Sequence, residues 1–412
     1  MKRRVVVTGM GVLAPNGIGR NQFGEAIFSG KSGIGSITRF DPAMLKTKIA
    51  AEVKNFDPVD FMAVPVMRKT DRFAQLGLAA TKMALEDAGL QRDNPSLQKA
   101  AVIFGSGLGG SCFHEEMIFT ILETCNPKKV SASSVPRITP NAVTAHIALE
   151  NNIRGPNQVI STACSSSANA IGEAFQRIRD RGMDMVVTGG AEATISIVNM
   201  ALYDAMMVLG SSLTEDITKA SRPFDVTRNG FVMGEGAACL ILEELGHAKS
   251  RGANIIAEII GFGSNCGAYH MVAPNPTGED AKEAMEMALN DACVDKDQVD
   301  HIEAHGTSTK LNDLSETHAI KALFGQRAYQ IPISGIKSMI GHTIGASAAI
   351  QAVAACLSLQ AGILPPTINL EKPDPECDLD YVPNKAREKK INVVVSNSFG
   401  FGSNNGSLVF KK

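Results

Sequence analysis

The chain has no tryptophan, no pair of cysteines at metal-type or disulfide-type spacing, and almost no surplus of charge of either sign. Eight cysteines without a Cys-x-x-Cys pair signal neither a zinc centre nor a disulfide framework, so no metal and no cofactor are expected and a reducing, cytoplasmic setting is the reading. A formal net charge of −2 over 412 residues argues against nucleic acid or an anionic membrane as the main partner. A long apolar run is missing at the start. Lys2-Arg-Arg before Val5-Val-Val mimics a secretion signal, but Gly9, Gly11 and Pro15 interrupt it early, so a first β-strand is expected. Without tryptophan there is also no Cys-Gly-Ser-Cys-Trp signature, which argues against a papain-like peptidase built on Cys164 and His305.

What is present supports a large core: 44% of the residues are hydrophobic and 20% charged, enough for two ordinary domains or two fused halves. Short Val/Ile-rich strands alternate with longer amphipathic helices, the pattern of α/β layers. Strands are expected at Val5-Val-Val, Ala101-Val-Ile-Phe, Met185-Val-Val, Cys239-Leu-Ile-Leu, Ile255 to Ile260, His301-Ile-Glu and Val393-Val-Val. Helices are expected near Phe73 to Ala88, Asn141 to Leu149, Ala281 to Ala292, Leu314 to Phe324 and Ala346 to Gln360. Gly-Phe-Gly-Ser-Asn occurs at 261–265 and again at 400–404, which hints at duplicated halves. The boundary is placed near residue 250, giving parts 1–250 and 251–412.

The most informative stretch is Val159-Ile-Ser-Thr-Ala-Cys164-Ser-Ser-Ser-Ala. It sets a cysteine between an apolar strand and a helix over Ser165 to Arg179, with Ala168, Ile171, Phe175 and Ile178 at apolar helical spacing. A thiol there meets free backbone N–H groups and the positive end of the helix dipole, which favour thiolate. Cys239 and Cys356, inside apolar runs, read as core residues.

Two histidine turns follow: His301-Ile-Glu-Ala-His305-Gly-Thr307-Ser-Thr309 and Ile336-Lys337-Ser-Met-Ile-Gly-His342. With Cys164 they form a Cys-His-His set that resembles that of the β-ketoacyl-acyl carrier protein synthases, a decarboxylating branch of the thiolase superfamily, and in particular its fatty-acid elongating members. The resemblance runs from Arg3-Arg-Val-Val-Val-Thr-Gly to Asn397-Ser-Phe-Gly-Phe-Gly402 and includes Gly189-Gly-Ala-Glu192, Ser221-Arg-Pro-Phe-Asp225, Gly230-Phe-Val-Met-Gly-Glu-Gly236 and Pro365-Pro-Thr-Ile-Asn-Leu370. It implies a duplicated five-layer αβαβα thiolase-like fold, with the nucleophilic cysteine in the first half and both histidines in the second.

The resemblance also implies the chemistry. Cys164 takes an acyl chain from acyl carrier protein, the amides of Cys164 and Phe401 form the oxyanion hole, and His305 and His342 stabilise the enolate formed when malonyl-carrier protein loses CO₂. Lys337 supports the histidines. Thr307 and Thr309 hydrogen-bond the phosphopantetheine arm, Phe401 is a gate, and Arg68-Lys69 (with Arg72 one turn on) and Lys128-Lys129 are candidate carrier-docking patches. The partner is acyl carrier protein. The oligomer is a homodimer, or a heterodimer with a ketosynthase-like subunit.

Three departures stand out. Lys310 replaces a proline, and Lys310-Leu-Asn312 also resembles type II polyketide ketosynthases; Ser403-Asn404 replaces Gly-Thr; Gln351 replaces a glutamate near Lys337 and removes a counter-charge. A polyketide or specialised-lipid ketosynthase is therefore the alternative. A silent partner subunit would lack Cys164, and a degradative thiolase would carry a second cysteine near Asn397. The glycine-rich stretches Gly9-Met-Gly11 and Gly105-Ser-Gly107-Leu-Gly-Gly110 also fit a dinucleotide loop. The first lacks a following helix, and acidic residues follow the second.

Overall fold

A computed structural model describes residues 2–213 and 215–412. Five main strands come from the first part of the chain: β1 (Val5–Ala14), β2 (Ala101–Gly105), β3 (Asn157–Ile160), β4 (Met185–Glu192) and β5 (Gly236–Glu244). Five more come from the second: β6 (Ala257–Cys266), β7 (His301–Glu303), β8 (Ile333–Ser334), β9 (Val393–Gly400) and β10 (Asn404–Lys411). Hydrogen bonding orders the first set β3-β2-β4-β5-β1 and the second β8-β7-β9-β10-β6, which is the same order counted from each set's own first strand. In both sets the first three strands of that order are parallel and the last two pairings antiparallel. Antiparallel pairing of β1 with β6 at Val5–Val7 joins the two.

Helices fill three layers around these strands. In the middle lie α4 (Ser166–Arg179) and α8 (Ser347–Ala361), whose Ile171, Phe175, Ile178, Ile350 and Val353 share one apolar cluster with strand residues of both sets. Outside the first set lie α1 (Arg72–Asp87) and α3 (Ala142–Asn151); outside the second lie α6 (Glu279–Ala292) and α7 (Lys310–Phe324). The result is the five-layer αβαβα arrangement of the thiolase-like fold. The segment Ile344–Ala361 has mean hydropathy 1.5, long and apolar enough to cross a bilayer, but 83% of it is buried. A helix packed between two sheets must be apolar all round.

Glycine spacing explains how the layers approach. A Cβ on Gly9 or Gly11 of β1 would sit 2.3 Å from Ala84 O or 2.0 Å from Ala80 O of α1. In β6, a Cβ on Gly261 or Gly263 would sit 2.3 Å from Ala288 O or 2.2 Å from Ala284 O of α6. Gly9-Met-Gly11 therefore lets a helix lie against a strand, and no phosphate loop forms there. The repeat is also corrected: Gly261-Phe-Gly263 corresponds in position to Gly9-Met-Gly11, because both lie on the first strand of their set. Gly400-Phe-Gly402 ends a fourth strand, so the identical pentapeptides at 261 and 400 are not topological equivalents.

Candidate active site

Cys164 stands in the tight turn between β3 and α4, where Ala163 takes a left-handed φ of 52°. The serines after it hold that turn. Ser165 Oγ donates to Thr162 O (2.8 Å), and Ser166 Oγ accepts from Thr162 N (3.0 Å) while donating to Ala163 O (2.6 Å). Ser167 Oγ accepts from Ala349 N (3.0 Å) at the start of α8, tying the nucleophile turn to the second half. The amides of Phe401 and of Cys164 itself point at the thiol. These and the ammonium of Lys337 favour thiolate, yet burial outweighs them and pushes Cys164 up to about 12. The expectation of a depressed thiol is therefore reversed: with 5% of its surface exposed, Cys164 rests as a thiol.

β7 delivers His305 into a turn held from behind by α7. Glu316 accepts from the amides of His305 and Gly306, both at 2.9 Å, and Asp313 accepts from the amide of Ser308 at 3.2 Å. The turn needs this support because Gly306 (φ 43°) and Ser308 (φ 69°) are both left-handed. Behind Asp313 lies the buried guanidinium of Arg228, at 3.5 Å, which also meets Asp374 at 2.6 Å.

Both imidazoles are neutral with the proton on Nε2. His342 Nδ1 accepts from Ile344 N (3.3 Å) and from Ser347 Oγ (2.9 Å), and His305 Nδ1 faces the Lys337 ammonium at 3.5 Å. Burial, then Lys337, holds both rings well below the usual imidazole range. Their centroids are 5.4 Å apart, edge to face.

Lys337 is 1% exposed; its Nζ donates to His305 O (2.6 Å) and Gln351 Oε1 (2.9 Å). Burial pushes it down to about 8, against the opposing pull of Glu316, Cys164 and Glu303. Gln351 explains its own presence: Nε2 donates to Ala304 O (2.8 Å) and Asn397 O (3.3 Å). Two carbonyls there call for a donor, which an ionised carboxylate lacks.

Cys164, His305 and His342 meet in one cavity of about 570 Å³, lined also by Thr307, Thr309 and Phe401. The threonine hydroxyls lie 2.9 Å apart, and Thr309 caps α7 by accepting from Asn312 N (3.4 Å). Lys310 and Leu311, both exposed, line the same cavity. Two aromatic neighbours were not singled out by the sequence reading: Phe231, edge-on to His342 at 5.1 Å, and Phe399, 5.7 Å from the His305 ring. Both lay inside quoted motifs, but nothing in a linear motif tells a wall residue from filler. An apolar cluster of Ile37, Met200, Phe231, Met233 and Ile344 surrounds Cys164.

The glycines beside Phe401 have different reasons. Gly402 has φ 76°, whereas Gly400 is extended and lies where a Cβ would meet Thr162 O at 2.7 Å. Only Gly402 uses the left-handed backbone that glycine favours. The departures at 403 and 404 brace this turn. Ser403 Oγ accepts from the amides of Tyr269 (3.2 Å) and His270 (3.3 Å) and donates to His270 O (3.1 Å), while Asn404 Nδ2 donates to Phe401 O (3.1 Å).

The second glycine-rich loop is closed to phosphate. Glu192, fully buried, accepts from the amides of Gly107 (2.5 Å), Leu108 (3.1 Å) and Gly345 (3.1 Å), so a carboxylate of the chain itself fills the place of an anion. Of the basic residues, Arg68 and Lys69 at the end of the short helix Val64–Met67 are exposed, as are Lys128 and Lys129. Arg72 does not join them: its guanidinium grips buried Glu235 (2.7 and 2.6 Å) and Val53 O (3.0 Å).

A buried thiol at a helix start and two neutral imidazoles braced by an ammonium, set between two copies of one α/β topology, define a thiolase-like condensing enzyme. The models of the β-ketoacyl synthase N-terminal and C-terminal domains match residues 2–248 and 256–371, and the chain belongs to the β-ketoacyl synthase family. It is 43% identical over 411 residues to a 3-oxoacyl-[acyl-carrier-protein] synthase 2 of Coxiella burnetii, covering 100% of this chain and 99% of that one. A protein of the same name from Synechocystis is 42% identical, covering 100% and 98%. Among solved structures, the ishigamide ketosynthase/chain length factor superposes with a TM-score of 0.93 at 34% identity, covering 100% of both chains. A type II polyketide ketosynthase solved in complex with its acyl carrier protein gives 0.91 at 32%, covering 100% and 99%.

Proposed function

We propose that the chain is a 3-oxoacyl-[acyl-carrier-protein] synthase that elongates fatty acyl chains. The observation that carries this is the convergence of Cys164 with two Nε2-protonated imidazoles on one cavity. Cys164 attacks the thioester of an acyl-carrier protein; the amides of Cys164 and Phe401 take the oxyanion, and the carrier thiol leaves with the proton. Malonyl-carrier protein then enters past Thr307 and Thr309. The Nε2–H groups of His305 and His342 donate to its thioester oxygen, CO₂ departs, and the enolate carbon attacks the acyl carbonyl on Cys164. Collapse of that adduct expels Cys164 as a thiolate, which takes a proton from water to return to the thiol, and leaves a 3-oxoacyl chain two carbons longer. Neutral donors suit this step, because an imidazolium would protonate the carbanion it is meant to stabilise.

The reading includes a division near residue 250, the first half contributing the nucleophile and the second the histidines. It includes a cytoplasmic location. It also includes a homodimer, supported by the exposed apolar Ile118, Phe119 and Leu122 of α2 (Ser111–Thr124) and Val198 and Leu202 of α5 (Ile197–Ala205).

Mass spectrometry of the intact protein after incubation with a panel of acyl-carrier proteins, followed by malonyl-carrier protein, tests the reading. A Cys164-acylated species that turns over to a 3-oxoacyl product supports it, and no acylation of Cys164 by any carrier refutes it. Lys310-Leu-Asn312 at the cavity favours a second reading, a type II polyketide or specialised-lipid ketosynthase. Acylation by oxygenated or unsaturated chains in preference to saturated ones decides for that alternative.

A further inference from the structure

Lys337 is an almost wholly buried ammonium whose three polar contacts, His305 O, His305 Nδ1 and Gln351 Oε1, are all uncharged. A cation so placed calls for an anion nearby. The ionisable groups facing it are Cys164 before α4, His342 before α8, His305 and Glu303 from β7 and its turn, and Asp313 and Glu316 from α7. All three pull on Lys337, Glu316 most strongly, but two of them are also engaged elsewhere. Asp313 faces Arg228 and accepts from the amides of Ser308 and Phe224, and Glu316 accepts from the amides of His305 and Gly306 and from Asn397 Nδ2.

Glu303 differs from both. It is fully buried on β7, two residues before His305, and neither carboxylate oxygen has a hydrogen-bond partner. His301 Nδ1 lies 4.0 Å from it. That ring is no counter-cation, since its Nε2–H donates to Ser334 Oγ (2.9 Å), which in turn donates to Pro365 O (2.6 Å), and burial keeps it neutral. Lys389 and Asp380 face His301 from the far side, and Ser358 Oγ of α8 is a further buried hydroxyl without a partner.

We propose that Glu303 is a positioning residue: together with Glu316 its carboxylate keeps Lys337 protonated, and through Lys337 it fixes the Nε2–H tautomer of His305. Burial pushes Glu303 up and Lys337 down, and the attraction of each for the other opposes both shifts. Where Glu303 holds its proton it lends Lys337 no charge; where it is ionised, above about 8, its charge raises Lys337. The inference rests on the reading of Cys164, His305 and Lys337 as the reacting centre, and its test is read without substrate.

The probe is iodoacetamide alkylation of Cys164, followed by peptide mass spectrometry in the full chain, because Lys337 favours the Cys164 thiolate. At about pH 6.5, Glu303→Gln and the unmodified protein are expected to react alike, since Lys337 is charged in both. At about pH 8.5 the variant is expected to react roughly three- to tenfold more slowly, because Lys337 has lost its proton. In a Lys337→Met background, Glu303→Gln is expected to add nothing. Equal rates at the higher pH, or the same slowing without Lys337, overturn the proposal. If Glu303→Gln does not fold, Glu303→Asp serves in its place: it keeps the charge, so alkylation like that of the unmodified protein supports the proposal, and slowing at the higher pH refutes it. An unmodified protein whose Cys164 alkylates as described but yields no condensation product refutes the ketosynthase reading and leaves this one standing.

Discussion

At the scale of single residues, the site pairs a thiol that burial keeps protonated with imidazoles that burial keeps neutral. The two half-reactions should therefore separate by mutation. Cys164→Ala is expected to abolish acyl transfer and retain some malonyl decarboxylation. His305→Ala or His342→Ala is expected to lower decarboxylation by about a hundredfold or more, the usual range for a lost transition-state donor, while acylation persists. Carbon dioxide release and intact-mass acylation check these separately. The pH profile carries a sign. Because the imidazoles titrate well below their ordinary range, decarboxylation should not fall between about pH 7 and about pH 6, where an exposed histidine would become charged. A decline in that window with the fold intact would mean that at least one ring titrates normally. Of the residues that line the candidate site, Cys164, His305 and His342 were legible as a constellation because each sits in a motif with its own turn chemistry. The protonation of Cys164 was not: the helix start argues one way and burial the other, and burial is a property of the whole fold.

At the scale of elements, the repeated strand–helix contact gives a sharp contrast. Gly11→Ala and Gly263→Ala each drive a methyl into a helix carbonyl, so each is expected to cost about 3 kcal/mol or more, read as a lost thermal midpoint or insoluble protein. Gly89→Ala meets nothing within 4 Å and strains only a left-handed backbone of φ 65°, a cost of about 1 kcal/mol. Comparable losses at all three sites would mean that the helices do not lie on the strands as described. In the turn after β9, Phe401→Ala is expected to change acylation of Cys164 more for long acyl chains than for short ones, measured by intact mass over a chain-length series. Uniform changes would make Phe401 a packing residue. The seven expected strands and the helices near α1, α3, α4, α6, α7 and α8 were readable because their periodicity is strong and their burial one-sided or complete. α2 and α5 were not. Their apolar residues, Ile118, Phe119, Leu122 and Leu202 among them, face outward and blur the pattern a half-buried helix shows.

At the scale of the whole molecule, a net charge of −2 supplies no general attraction for an acidic carrier protein, so steering falls to local patches. Arg68→Glu with Lys69→Glu is expected to raise the apparent KM for acyl-carrier protein about tenfold or more and to leave acylation by a small carrier-free thioester unchanged. Added salt should weaken the unmodified enzyme's use of carrier in the same direction. Equal loss with both substrates, or no loss with either, removes the patch from the docking surface. Arg72, linked to that patch by sequence spacing alone, is held by Glu235; linear spacing places a residue on a helix but not the partner it meets across the fold.

The turn after β2 and the turn after β7 hold equivalent places in the two copies of the topology. One presents His305 to the cavity. The other receives Glu192, whose carboxylate takes up the amides of Gly107 and Leu108 and reaches across to Gly345 beside His342. A molecule with near-twofold architecture has thus become chemically one-handed: the counterpart of its working pocket is sealed by a side chain of its own, and the seal helps to hold the working side in shape.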